Sequence, residues 1–166
     1  FPYTTLFRSL KRYLLMAGRI NKNWEMFDKD QWNISDVTDG NYTSFVYIIE
    51  FPETGEFYYG KKMIYQKVKS IDKLKVNSVE SNWKNYTGSS KTVNAMIDAG
   101  MDYTKKILYC VKSDAEASII ETALISYFGL HPDNLNKAIL CKARLPKNRR
   151  DLFNVLQDLV AMLGNR

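Results

Sequence analysis

The stretch from Phe45 to Gly60, FVYIIEFPETGEFYYG, limits what this chain can fold into more than any other. Val46, Ile48 and Phe51 alternate roughly with Tyr47 and Ile49, and Pro52-Glu53-Thr54-Gly55 has the residue types of a turn. Phe57-Tyr58-Tyr59 then opens a second run of strand formers that Gly60 closes. A β-hairpin follows, with a tyrosine on each strand, Tyr47 and Tyr58, eleven positions apart. Aromatic residues paired across a hairpin stabilise a sheet on their own account. The pair gains chemical meaning only from what lies further along.

Downstream, Lys61 to Gly88 is too long for a bare loop, so it is expected to hide helix, with Ile71, Leu74, Val79 and Trp83 giving a broken period. Ser89-Ser90 offers an N-cap, Val93, Met96 and Ile97 fall on one helical face, and Gly100 suits a terminator. Tyr103 to Lys112 reads as a third, buried strand. Ser113-Asp114-Ala115-Glu116 then forms a capping box. Behind it Ile119, Ile120, Ala123, Leu124, Tyr127 and Phe128 make an apolar stripe that ends at Gly129. Strand, strand, helix, strand, helix gives a small α+β domain with a three-stranded antiparallel sheet flanked by helices.

Charge narrows the choice of partner. Lys61 to Lys91 holds eight lysines against Asp72 and Glu80, and Lys137 to Arg150 holds six cationic side chains and no acid, while the whole chain carries only +6. The rest is therefore acidic on balance. Two concentrated basic stretches are what a phosphate backbone requires, although either alone could be a solvated face. No apolar run approaches the length of a membrane span. Cys110 and Cys141 have no ligand spacing, which argues against zinc and for a reducing compartment.

The ends are read differently. Phe1 to Ser9 resembles a translated sequencing adapter, so residues 1–15 are set aside, with synthesis expected to start at Met16. Residues 16–43 read as an arm anchored by Trp24, Phe27 and Trp32, and no chemistry is expected there. Residues 139–166 read as a basic linker and an amphipathic helix built on Leu152, Val155, Leu156, Leu159, Val160 and Leu163.

On the helix after the capping box, Glu121 lies about 100° from the centre of the stripe, at its border. Glu116 has a capping role; Glu121 has no evident structural one. Asn136 follows fifteen positions later. Phe45-Val46-Tyr47, Tyr58-Tyr59-Gly60, Glu121 and Asn136 together resemble the GIY-YIG nucleases over residues 44–138, and most closely the phage Seg-type homing endonucleases. The resemblance implies hydrolysis of double-stranded DNA in the cytoplasm of a bacterial or phage-infected cell. It implies Mg²⁺ or another divalent cation on Glu121, an amide at Asn136 that positions backbone or phosphate, and a general base at Tyr47 helped by Tyr58. A phenol with an ordinary pKa of about 10 can serve as that base only if cations or a second hydroxyl stabilise the phenolate. Asn136 can equally be a turn residue of Asp133-Asn134-Leu135-Asn136.

One departure stands out. Where the family carries an arginine, ten residues after Tyr58, this chain has Val68. Lys67 and Lys69 flank it, Lys61 and Lys62 directly follow Gly60, and one of these four is the expected replacement, as a point charge without a guanidinium fork. Lys61, Lys62, Lys84, Ser89, Ser90 and Lys91 are expected DNA contacts. Trp83 and Tyr86 either stack on bases or pack beneath the long connection, and packing is favoured. His131, in a loop before Pro132, is expected to be structural. A copy that keeps the fold and binds DNA without cleaving it is the alternative.

Overall fold

A computed structural model describes residues 18–139, 145–147 and 149–164. The expectations for residues 1–15, and the part of the second basic stretch that holds Lys142 and Arg144, lie outside these.

The hairpin is the centre of the sheet. Strands β2 (Ser44–Phe51) and β3 (Glu56–Met63) pair antiparallel, with Tyr47 opposite Gly60 and Ile49 opposite Tyr58. The third expected strand, β4 (Thr104–Val111), pairs antiparallel with the other side of β2. The expectation of a three-stranded antiparallel sheet needs correction, because a fourth strand, β1 (Trp24–Met26), joins β4 in parallel. The order is β1-β4-β2-β3 and the sheet is mixed. β1 escaped notice because three residues with only Trp24 and Met26 facing inward carry no measurable period.

Helices cover both faces. Alternation along β2 sends Phe45, Tyr47, Ile49 and Phe51 into one layer, shared with Trp24, Trp83 and helix α1 (Lys91–Asp98) through Val93 and Ile97. Val46 and Ile48 point into the other layer, against helix α2 (Asp114–Phe128) through Ala117, Ile120 and Leu124. That is why β2 is apolar at nearly every position rather than at every second one. The expected C-terminal amphipathic helix is present as α3 (Arg149–Leu163), which adds Leu152, Leu159 and Leu163 to the second layer.

The caps agree with the sequence. Ser113 and Glu116 complete a capping box at α2, and the Ser90 hydroxyl accepts from Val93 N–H at α1. The connection from Lys61 to Gly88, in contrast, holds no α-helix. It contains two single 3-10 turns, Ile71–Lys73 and Trp83–Asn85, and a β-like bridge between Tyr65 and Glu80. Ser81 N–H to Ile64 O, Gln66 N–H to Val79 O and buried Trp83 hold it down, so backbone pairing does the work expected of helix.

Candidate active site

Three features of the sheet aim the tyrosines. The β2–β4 ladder shifts register between Val46 and Tyr47, which stand opposite Tyr109 and Ile107, so the extra residue is Leu108 and the bulge lies on β4, across from Tyr47. Opposite Tyr47 stands Gly60, whose missing Cβ makes room for the phenol ring. Gly88, at φ +84°, brings the loop before α1 against the hydroxyl of Tyr47 and the ring of Tyr58. The rings of Tyr47 and Tyr58 then lie 6.4 Å apart between centroids.

A third tyrosine joins them. Tyr86, from the connection, packs edge-on to Tyr47 at 6.3 Å, and its hydroxyl is the hydrogen-bond partner of the Tyr47 hydroxyl. Ser89 hydrogen-bonds both Tyr58 and Tyr86. The two serines expected to act together therefore divide the work: Ser90 caps the helix and Ser89 belongs to the cluster. Trp83 is a buried packing residue, as favoured, whereas Tyr86 packs its ring on the core and brings its hydroxyl to the cluster. The motif Tyr86-Thr87-Gly88-Ser89, an aromatic before a glycine and a hydroxyl just upstream of a helix cap, was the signal available for it.

Glu121 reaches the same place from α2, and its charge acts on Tyr47, Tyr58 and Tyr86. Burial raises its pKa to about 7 against the pull of Lys61, with the nearby Asp114 pushing the same way as burial. The Lys61 backbone N–H also donates to it. That bond continues a pattern along the outer edge of β3. Phe57 N–H donates to Asp133 O at 3.0 Å and Phe57 O accepts from Leu135 N–H at 2.8 Å. One step on, Asn136 grips Tyr59 with both ends of its amide, Oδ1 accepting from Tyr59 N–H at 2.9 Å and Nδ2 donating to Tyr59 O at 2.8 Å. Asn136 thus fixes the backbone between Tyr58 and Gly60.

The phenols are held neutral. Tyr47 is 1% exposed, and burial foremost, then Tyr58, Tyr86 and Glu121, push its pKa well above the ordinary phenol value. Burial also raises Tyr58 and Tyr86, partly offset by Ser89. The cations expected to stabilise a Tyr47 phenolate are engaged elsewhere. Lys61 Nζ pairs with Asp114 at 2.6 Å; Lys62 Nζ donates to Asn82 at 2.7 Å and lies 4.1 Å from the centre of the Tyr86 ring.

The other residues are spread over the surrounding surface. Val68 is buried in the core, and the exposed Lys67 and Lys69 beside it make no ion pair among the described residues. Lys84 pairs with Glu80 at 3.2 Å, and Lys91 opens α1 on the surface. His131 accepts from Asp133 N–H and stacks near Phe57, outside the cluster. A cleft of about 470 Å³ opens beside the cluster, lined by Lys61, Lys62, Gln66, Ser81 and Asn82 among others. Among the described residues no three His, Cys, Asp or Glu side chains gather as a metal cage.

A family model described as "Putative endonuclease segE, GIY-YIG domain" matches residues 24–134. The chain belongs to the GIY-YIG endonuclease family, in its segE branch. The matched part of this GIY-YIG chain begins at Trp24, the first residue of β1, and so takes in the short parallel strand. No curated protein and no solved structure matches the chain.

Proposed function

We propose that this GIY-YIG protein is a Mg²⁺-dependent endonuclease of the phage homing type that hydrolyses phosphodiester bonds of double-stranded DNA in the cytoplasm of a bacterial or phage-infected cell. The observation that carries the reading is the meeting of one carboxylate, Glu121, with the hydroxyls of Tyr47, Tyr58, Tyr86 and Ser89, drawn from four separate segments, beside a lysine-lined cleft.

This donor set fits Mg²⁺, which keeps several waters, accepts a single carboxylate and completes its shell with phosphate oxygens. Glu121 would hold the ion, which when bound would relieve charge on the phosphate and on the departing oxygen. In hydrolysis a water oxygen forms a new bond to phosphorus as one bridging P–O bond breaks, so the chain has to orient the water and the phosphate. Tyr58 and Tyr86, each partly exposed and each bonded to Ser89, are the phenols that reach them. Tyr47 lies behind, and through its bond to Tyr86 sets where that hydroxyl points. Lys61 and Lys62 supply positive charge along the cleft.

The second reading, a DNA-binding module without catalysis, has one observation in its favour: buried Val68 stands where the family arginine is expected. Purified protein incubated with supercoiled plasmid and Mg²⁺ separates the two. Nicking or linearisation that EDTA abolishes supports the enzyme, whereas salt-sensitive retardation in a gel without cleavage supports the module.

A further inference from the structure

Among the described residues Lys105 is the one buried charged side chain. It sits on β4 at 1% exposure, and no carboxylate pairs with it among the described residues. Its ammonium lies 4.6 Å from the centre of the Trp24 ring and donates to two backbone carbonyls, Lys84 O at 3.0 Å and Tyr86 O at 3.3 Å. Burial, with Arg19 nearby, lowers its pKa to about 8, so holding it charged inside the protein opposes folding at neutral pH. A cation kept at such a site, gripping the backbone of the residue that carries a cluster hydroxyl, calls for a reason other than stability.

The far end of the same loop is gripped in the same manner. Asn94, on α1, donates through Nδ2 to Gly88 O at 3.0 Å and to Ser90 O at 2.9 Å, so it holds the backbone on both sides of Ser89. Its Oδ1 accepts from the buried Thr87 hydroxyl at 2.6 Å, and Arg19 donates to Asn94 and to Thr87. Apart from the bond of Arg19 to Asn94, each of these bonds has an end on the backbone or side chains of residues 84–90, and none ends on the hydroxyls of Tyr86 or Ser89.

We propose that Lys105 and Asn94 are positioning residues of the cleavage site, two side chains outside the cluster that fix Tyr86 and Ser89 by holding the main chain around them. The proposal rests on the reading of Tyr86 and Ser89 as part of a nuclease site. It explains why a lysine lies under a strand pair in the core: an ammonium can donate to two carbonyls that no strand or helix satisfies. Their loss moves the hydroxyls without removing any, and a displacement of about 1 Å is enough to slow a reaction about a hundredfold.

The test compares wild type with Lys105→Met and Asn94→Asp in the full chain, by Mg²⁺-dependent plasmid nicking, duplex retention in EDTA and amide hydrogen exchange. Each variant is expected to lower turnover at saturating DNA by about a hundredfold, with retention changed by less than about twofold. Exchange should quicken in peptides spanning 83–90 and stay at the wild-type rate in β2 and β3. Turnover like that of wild type, or a loss confined to DNA affinity, overturns the proposal. If Lys105→Met does not fold, Asn94→Asp decides, since it keeps the size and the acceptor for Thr87, in the first half of a helix where an acid is tolerated. A wild-type chain that never cleaves DNA refutes the nuclease reading instead. Exchange then shows whether the clamp holds the loop, and unchanged rates at 83–90 refute it.

Discussion

Gly60 stands against the ring of Tyr47 so closely that a Cβ at position 60 would lie 2.3 Å from both Cζ and Oη of the tyrosine. Gly60→Ala must therefore push Tyr47 out of the cluster. The expected result is loss of cleavage together with overpacking that costs about 1–3 kcal/mol. A melting curve and a nicking assay on the same preparation check both, and full activity would mean that the phenol does not need its present place.

The two glutamates of α2 make a controlled comparison. Glu116→Gln should lose only a fraction of the roughly 0.5–2 kcal/mol attached to a helix cap, since glutamine also serves in a capping box. Glu121→Gln keeps volume and an acceptor for Lys61 N–H but removes the charge, so cleavage should fall by about two orders of magnitude or more. DNA retention in EDTA should hold or improve. Wild-type cleavage by Glu121→Gln would end the assignment of this carboxylate.

The pH dependence of stability follows from the same group. Burial raises Glu121 from its ordinary value to about 7 in the folded chain. Its contribution to stability is fully present below the unfolded value and is lost as pH rises through about 7. In EDTA, the melting temperature of Glu121→Gln relative to wild type should therefore climb between pH 5 and pH 8. A flat difference across that range would show that the carboxylate ionises as freely inside as outside.

Tyr86→Phe should resemble Tyr47→Phe. Each leaves the rings packed and breaks the hydroxyl pair between them, and each should lower turnover by about a hundredfold with little change in DNA affinity. If Tyr47→Phe alone is inactive, Tyr47 acts on the substrate directly rather than through its neighbour.

Among the lysines, Lys61 and Lys62 should differ from Lys67 and Lys69. Replacing either of the first two by methionine should reduce turnover, because both line the cleft, Lys61 with its charge acting on Glu121 and Lys62 over the ring of Tyr86. Replacing either of the second two should only flatten the salt dependence of binding by about one unit of slope. Equal effects from all four would mean that no lysine has taken over from the arginine.

The legible parts were those with local chemistry. The hairpin, the capping box of α2 and the strand at 104–111 declare themselves by alternation, turn residues and caps, whereas Tyr47, Tyr58 and Glu121 were picked out through the resemblance to the GIY-YIG nucleases, whose motif spacing they match. β1 was hidden because its partner is β4, eighty residues away, and its three residues cannot show a period. Tyr86 was hidden for a related reason: its place is set by Gly88 and by bonds from Lys105 and Trp24 to the 3-10 turn, none of which leaves a mark near it in sequence. Asn136 was found but its task was left open between positioning and turning, and the answer required knowing which backbone lay opposite its amide.

The seal along the outer edge of β3 has a consequence for assembly. Asp133, Leu135, Asn136 and Glu121 already occupy the outward backbone groups of Phe57, Tyr59 and Lys61, so another chain cannot add a strand there without first stripping those bonds away. The opposite edge is β1, three residues long and too short to template a growing ribbon. Lateral growth of the sheet, the usual route by which an exposed edge leads to aggregation or to strand exchange, is thus closed at one border by residues that also complete the tyrosine and glutamate cluster.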